Sequence, residues 1–142
     1  METDGPRHSV SVSAVIVDDE GRVLAIRRRD NGHWEPPGGV LELDEPILDG
    51  LVREVLEETG LVVEPERLTG VYKNMVRGIV ALVFRCRVSD GHIGSSPEVA
   101  ETAWLSAVDA RQRMSEAYYN RVVDALADST PAIRAHDGEQ LV

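Results

Sequence analysis

The sequence predicts an α/β sandwich built as one domain. Segments with the period-two alternation of strands are interleaved with two or three segments of helical apolar spacing, and no internal repeat or low-complexity linker separates them. A length of 142 residues with 42% apolar content is enough for a single compact core. The domain is expected over 9–128, with flexible ends at 1–8 and 129–142.

Val10, Val12, Ala14 and Ile16 alternate with Ser11, Ser13 and Val15, and Asp18-Asp19-Glu20-Gly21 supplies turn chemistry before Val23–Arg29. This reads as an opening β-hairpin, with Leu24 and Ile26 on one face of the return strand and Val23, Ala25 and Arg27 on the other. Residues 30–33 form a loop, and Trp34-Glu35-Pro36-Pro37-Gly38-Gly39 is too rich in Pro and Gly for regular structure. A helix of about four turns follows from Glu45 or Pro46, with Asp44 as N-cap and Gly60 as the left-handed C-terminal cap. Leu61–Glu64, Leu68–Tyr72, Ile79–Val88 and Val99–Leu105 read as strands. Ser106 with Asp109 resembles a capping box, and Tyr118, Val122, Val123 and Leu126 recur at helical spacing. Beyond Asp128 the chain is expected to fray.

Charge narrows the function. The chain has 25 Asp and Glu against 15 Lys and Arg, a formal charge of −10, which opposes binding to a nucleic-acid backbone. The single cysteine, Cys86, lies within an apolar run and reads as a buried strand thiol. No stretch is long enough for a signal peptide or a membrane span, so the expected location is the cytoplasm, without a membrane partner.

The helix over 47–59 carries the chemistry. Leu48, Leu51, Val52, Val55 and Leu56 form one apolar stripe, whereas Glu54, Glu57 and Glu58 fall on another face at i, i+3 and i+4. Like charges at that spacing destabilise a helix by about 0.2–0.5 kcal/mol per pair, so something should offset the repulsion. A solvated acidic face is the ordinary explanation of such a pair, but Gly50 on the same helix and the Gly38-Gly39 turn before it suggest close approach of a ligand or a metal.

Read in full, the spacing is Gly39, five residues, Glu45, seven residues, then Arg53-Glu54-Val55-Leu56-Glu57-Glu58-Thr59-Gly60-Leu61. This resembles a complete Nudix box, the signature of hydrolases acting on a nucleoside diphosphate linked to another group. Pro37 to Gly39, Trp34 and the Glu98-to-Leu105 segment extend the resemblance over most of residues 8–128. It implies an α/β/α sandwich with a mixed, curved sheet between helices. It also implies magnesium, with manganese as a substitute, held by Glu54, Glu57, Glu58 and the Gly38 carbonyl. Arg53 and Glu45 would be supporting residues, and Glu98, with Glu101 as competitor, a further metal ligand or general base. Asp44 and Gly50 depart from residues common in the family, glycine and alanine respectively.

The implied reaction is attack of water on one phosphorus of a diphosphate bond in a small nucleotide-like substrate. Arg27 and Arg29, expected on one face of their strand, are candidates to hold phosphate, and a solvated basic strand end is the alternative. Trp34, beside the Pro-Gly turn, is the candidate to stack on a base, while Tyr72 more naturally packs in the core. Asn74 or Arg77 would read the base edge. Relatives that cleave ADP-ribose or dinucleoside polyphosphates often carry a proline or a tyrosine beyond the box, and Val76 to Ile79 hold neither. The leading reading is therefore a nucleoside triphosphate house-cleaning pyrophosphohydrolase. An ADP-ribose or nucleotide-sugar pyrophosphatase is the alternative, and a non-catalytic nucleotide-sensing Nudix module the alternative of another class. Family members often pair, which leaves a homodimer open, with Tyr118, Tyr119 and Val122 as a candidate surface, although residues in that pattern are more often core.

Overall fold

The computed structural model describes residues 5–142. The expected flexible N-terminus therefore lies partly outside the described residues, and 5–8 carry no regular structure. The elements are β1 (Ser9–Ile16), β2 (Val23–Arg28), β3 (Trp34–Glu35), β4 (Gly38–Val40), α1 (Ile47–Thr59), β5 (Leu61–Asn74), β6 (Ile79–Gly91), β7 (Val99–Leu105), α2 (Ala107–Arg113), α3 (Glu116–Leu126) and β8 (Ala132–His136).

The strands form a five-stranded sheet in the order β4-β1-β6-β5-β8 and a three-stranded sheet in the order β3-β2-β7. In the larger sheet β1 runs parallel to β6 and antiparallel to β4, and β5 runs antiparallel to β6 and parallel to β8, so the sheet is mixed. Because side chains alternate across a strand, β1 serves two cores. Val12, Ala14 and Ile16 join Leu51 and Val55 of α1 in one cluster, and Val15 joins Val122 and Ala125 of α3 in the other. This is the α/β/α arrangement expected from the sequence, and it pins α1 across the end of β1 and β4.

Several expectations are corrected. β1 and β2 are not a paired hairpin: they lie in different sheets, share both core clusters through their side chains, and are linked by an isolated bridge just beyond β1, Val17 to Val23. Alternation identifies a strand but not its partner, and both strands here are buried on both faces. Trp34–Glu35 and Gly38–Val40, expected to be irregular, pair as short edge strands with β2 and β1, with Pro36 and Pro37 between them. The two strands expected within 61–72 are one strand, β5, which stays paired with β6 through irregularities around Val62, Pro65 and Leu68. The segment beyond Asp128, expected to fray, contributes β8, and Arg134 of that strand pairs with Asp124 at 2.7 Å.

Helix α1 starts at an N-cap of Pro46 rather than Asp44 and ends, as expected, on Gly60 in the left-handed conformation at φ 83°. Its buried face is narrower than the apolar stripe suggests: Leu51 and Val55 are fully buried, whereas Leu48 and Leu56 are each 48% exposed. Ser106 caps α2 by accepting the Asp109 amide at 3.1 Å. Cys86 is buried, and burial pushes its thiol up to about 12. Val122 belongs to the core, and Tyr118 and Tyr119, both half-buried, pack against it. Among the described residues, no helix is long and apolar enough to cross a membrane.

Candidate active site

The register of α1 sorts its three glutamates by environment. Glu58 is buried on the sheet side, the Glu54 side chain is 14% exposed, and that of Glu57 is 60% exposed. Glu58 reaches back to β4, where its Oε1 accepts the Gly38 amide at 2.8 Å. Burial pushes the Glu58 carboxyl up to about 8, the Gly38 hydrogen bond opposes this, and the charges of Glu54, Glu35 and Glu98 add to it. Glu54 is also raised by burial, against the pull of Arg53.

Arg53 organises the rest. Its Nε and Nη2 donate to the two oxygens of Glu45 at 2.8 and 2.6 Å, a two-point contact that fixes the guanidinium plane. From there Nη1 donates to Glu54 at 3.1 Å and to Glu57 at 3.2 Å. Glu45 also accepts the Glu42 amide at 3.0 Å. The Arg53 hydrogen bonds, followed by that amide, bring the Glu45 carboxyl down to about 2. Glu45 is thus the anchor through which the 41–46 loop holds Arg53.

The glycines explain how loop and helix come so close. A Cβ on Gly39 would stand 2.5 Å from the Glu54 carboxylate, and one on Gly38 would overlap the backbone of Val12 and Ser13. Gly38 and Gly39 are therefore the positions where β4 passes between β1 and α1. The N–H and C=O of one strand residue leave on the same edge, so the Gly38 carbonyl leaves β4 on the side of Glu58. Gly50 serves a different purpose from the ligand approach expected of it. A Cβ there would meet Leu41 Cδ1 at 2.5 Å and Glu45 Oε1 at 2.8 Å, so its lack of a side chain admits the 41–46 loop.

Opposite the helix, Glu98 precedes β7, where its charge is felt by both Glu54 and Glu58. It lines a cleft of about 400 Å³ with Arg28, Arg29, Asp30 and Pro97. Glu101, three residues on, is paired with Arg27 at 3.4 Å. The expected phosphate ligands thus have protein partners. Arg27 makes that single long contact, while Arg29 donates to the carbonyls of Pro97 and Val99, each at 3.0 Å. A register shift between Arg27 and Arg28 breaks the simple alternation that would place Arg27 and Arg29 on one face. Trp34 packs against the core, with the Arg113 guanidinium 5.2 Å from its ring centroid. Tyr72 is fully buried, and Asn74 Oδ1 caps its own turn by accepting the amides of Val76 and Arg77, both at 3.0 Å.

Three residues behind the glutamates were not legible as site residues. Glu35 of β3 is raised by burial, offset by Arg28, Arg121 and Tyr118. Arg121 of α3 is buried beneath the rings of Tyr118 and Tyr72, 4.6 and 5.3 Å away, and its Nε has no hydrogen-bond partner among the described residues. Helical spacing marked Tyr118 as core, and nothing local in the sequence connects α3 to β3.

The donor set fits a divalent cation. Its members are carboxylates and a backbone carbonyl, all hard oxygen donors, and the charges of Glu54, Glu35 and Glu98 add to the burial that raises Glu58. Among the described residues, no three His, Cys, Asp or Glu side chains stand close enough to hold a metal ion by themselves, so waters or a substrate would have to complete the set. An open set of this kind suits an ion that keeps waters and shares positions with a substrate.

The chain matches the NUDIX domain over residues 7–126. It is 55% identical over 140 residues to a MutT-like protein of Streptomyces ambofaciens, covering 99% of this chain and 91% of that one. It is 36% identical over 136 residues to the human 8-oxo-dGDP phosphatase NUDT18, covering 92% of this chain but 36% of the longer relative. Among solved structures, the MutT NUDIX hydrolase from Burkholderia pseudomallei superposes with a TM-score of 0.74 at 26% identity, over 84% of this chain and 98% of that one. With the Arg53-centred glutamate cluster in place on α1 and the family matched along most of its length, the chain belongs to the NUDIX family and is a Nudix hydrolase.

Proposed function

We propose that this chain hydrolyses a diphosphate linkage in a nucleoside triphosphate, as a magnesium-dependent house-cleaning pyrophosphohydrolase. The observation that carries the reading is the disposition of the box glutamates: Glu54 and Glu57 share Arg53, and Glu58 is held on the Gly38 amide beside a carbonyl donor. Glu54, Glu57, Glu58 and the Gly38 carbonyl would hold magnesium. When bound, it neutralises charge that develops on phosphate oxygens as the diphosphate bond breaks.

The protein's own residues supply position and proton transfer. Arg53, fixed by Glu45, orients Glu54 and Glu57. Glu98, whose carboxylate makes no hydrogen bond among the described residues, accepts the proton of the attacking water. Arg27 exchanges its weak contact with Glu101 for a substrate phosphate. The human relative, an 8-oxo-dGDP phosphatase, supports a nucleoside phosphate as the substrate class.

The test is a panel of normal and oxidised nucleoside triphosphates, nucleoside diphosphates, ADP-ribose, nucleotide sugars and dinucleoside polyphosphates, with and without magnesium, and with products separated by chromatography. Release of a nucleoside monophosphate and pyrophosphate from a triphosphate supports the reading. Preferential cleavage of ADP-ribose replaces it with the alternative, and tight binding without turnover across the panel replaces it with a sensing module.

A further inference from the structure

Glu98 stands at the end of a stretch with little structure of its own. Between the end of β6 at Gly91 and the start of β7 at Val99, its local supports are long: the Val99 amide reaches the Ser96 carbonyl at 3.3 Å, and the Glu98 amide reaches Ser96 Oγ at 3.4 Å. Contacts of that length do not hold a carboxylate to the tolerance that proton transfer demands.

The Gly94 amide ties the start of the segment to the Thr59 carbonyl at 2.9 Å, and what holds its end at 97–99 is one residue across the sheet. The Arg29 amide donates to the Glu98 carbonyl, its Nε donates to the Pro97 carbonyl and its Nη2 donates to the Val99 carbonyl, all at 3.0 Å. Backbone and guanidinium of a single side chain thus grip three consecutive carbonyls, with Glu98 in the middle. The approach is made possible by the irregularity in the β2–β7 ladder: Arg27 is opposite Glu101 but Arg28 is opposite Val99, so Ala100 is the extra residue of a bulge. Bulges of this kind re-aim the strand end that carries them, and this one brings Glu98 opposite Arg29 at the mouth of the cleft that both residues line.

We propose that Arg29 is a positioning residue for Glu98, fixing the 97–99 backbone so that the Glu98 carboxylate is presented to the cleft. This departs from the reading of Arg29 as a phosphate ligand, and it rests on Glu98 acting at the site. A planar guanidinium can bridge two separated carbonyls, whereas the single head group of lysine cannot. Arg29 is otherwise solvent-exposed, so its loss should change the placement of Glu98 more than the stability of the fold.

The experiment is a double-mutant cycle of Arg29→Ala and Glu98→Gln with the best substrate from the panel, alongside hydrogen exchange of the amides in 96–99. Arg29→Ala is expected to lower kcat about tenfold with little change in KM, and to add less than about twofold in the Glu98→Gln background, because a residue acting through another has no separate effect once that residue is gone. Exchange should rise in 96–99 and remain unchanged in α1. Arg29→Lys, which keeps the charge and guards against a folding defect in the alanine variant, should recover only part of kcat. Full recovery by lysine, or a raised KM at constant kcat, would make Arg29 a phosphate ligand and overturn the proposal. A Glu98→Gln variant with wild-type kcat would remove the role of Glu98 itself, whereas a slow Glu98→Gln variant with independent, multiplicative loss from Arg29→Ala would remove only that of Arg29.

Discussion

Gly39 lies against the carboxylate of Glu54: a methyl group on this glycine would stand 2.5 Å from both Oε2 and Cδ. Its neighbour Gly38 is hemmed in by backbone instead, 2.8 Å from the Ser13 Cα. The difference separates two kinds of damage. Gly39→Ala can be relieved by displacing the flexible end of Glu54, so it should fold with a stability loss under about 1 kcal/mol yet lose roughly 100-fold in kcat through the misplaced carboxylate. Gly38→Ala forces β4 away from β1 and should cost about 1–3 kcal/mol or more. Thermal melting and steady-state kinetics on the two variants check this contrast.

Arg53→Lys probes the anchor. Lysine keeps a positive charge but cannot bind both oxygens of Glu45 while reaching Glu54 and Glu57, so the two glutamates lose their common reference. The expected result is a 10- to 100-fold fall in kcat, roughly the range for residues that orient ligands, with a far smaller change in melting temperature. Wild-type kcat in Arg53→Lys would show that charge alone suffices.

Acid stability should report on the far side of the sheet. Asp124 is 8% exposed and takes both Arg134 Nε and Nη2 at 2.7 Å, while the buried Tyr72 hydroxyl donates to the same carboxylate. Burial alone would raise the Asp124 carboxyl, but the Arg134 and Tyr72 hydrogen bonds outweigh it and hold the group below its ordinary value. A carboxyl lowered in the folded state contributes stability that is present above its unfolded value of about 4 and is lost as pH falls through the folded value. Asp124→Asn should therefore destabilise by about 2 kcal/mol at neutral pH and flatten the loss of stability below about pH 4. Urea unfolding as a function of pH measures both effects.

How far the sequence could be read follows from which signals are local. The three glutamates, Arg53 and the Gly60 cap lie within about four turns of one helix, where spacing is a local signal; the structure keeps Glu54 and Glu57 together on Arg53 but turns Glu58 toward β4, a difference of burial that spacing does not record. Strand partnership is non-local: nothing within Val10–Ile16 or Val23–Arg28 records that the two lie in different sheets. Ala132–His136 was missed for the same reason, since a five-residue strand whose support comes from β5 and from Asp124 has no signature within itself. Gly50 was legible as a close approach but not as to what approaches, because Leu41 and Glu45 fold back onto the helix through a loop. The roles of Arg27 and Arg29 turned on a one-residue bulge in the ladder with β7, which alternation cannot reveal.

The proposed metal-dependent hydrolytic site on α1 is tested most directly by the magnesium dependence of turnover in the wild type beside Glu57→Gln and Glu58→Gln, both checked for folding by thermal melting. Turnover in the wild type should be absent in chelator and restored by magnesium. In each variant it should be lowered by about 100-fold or more at saturating magnesium, with the fold intact. Turnover that persists in chelator, or variants as active as the wild type, would contradict the proposed site.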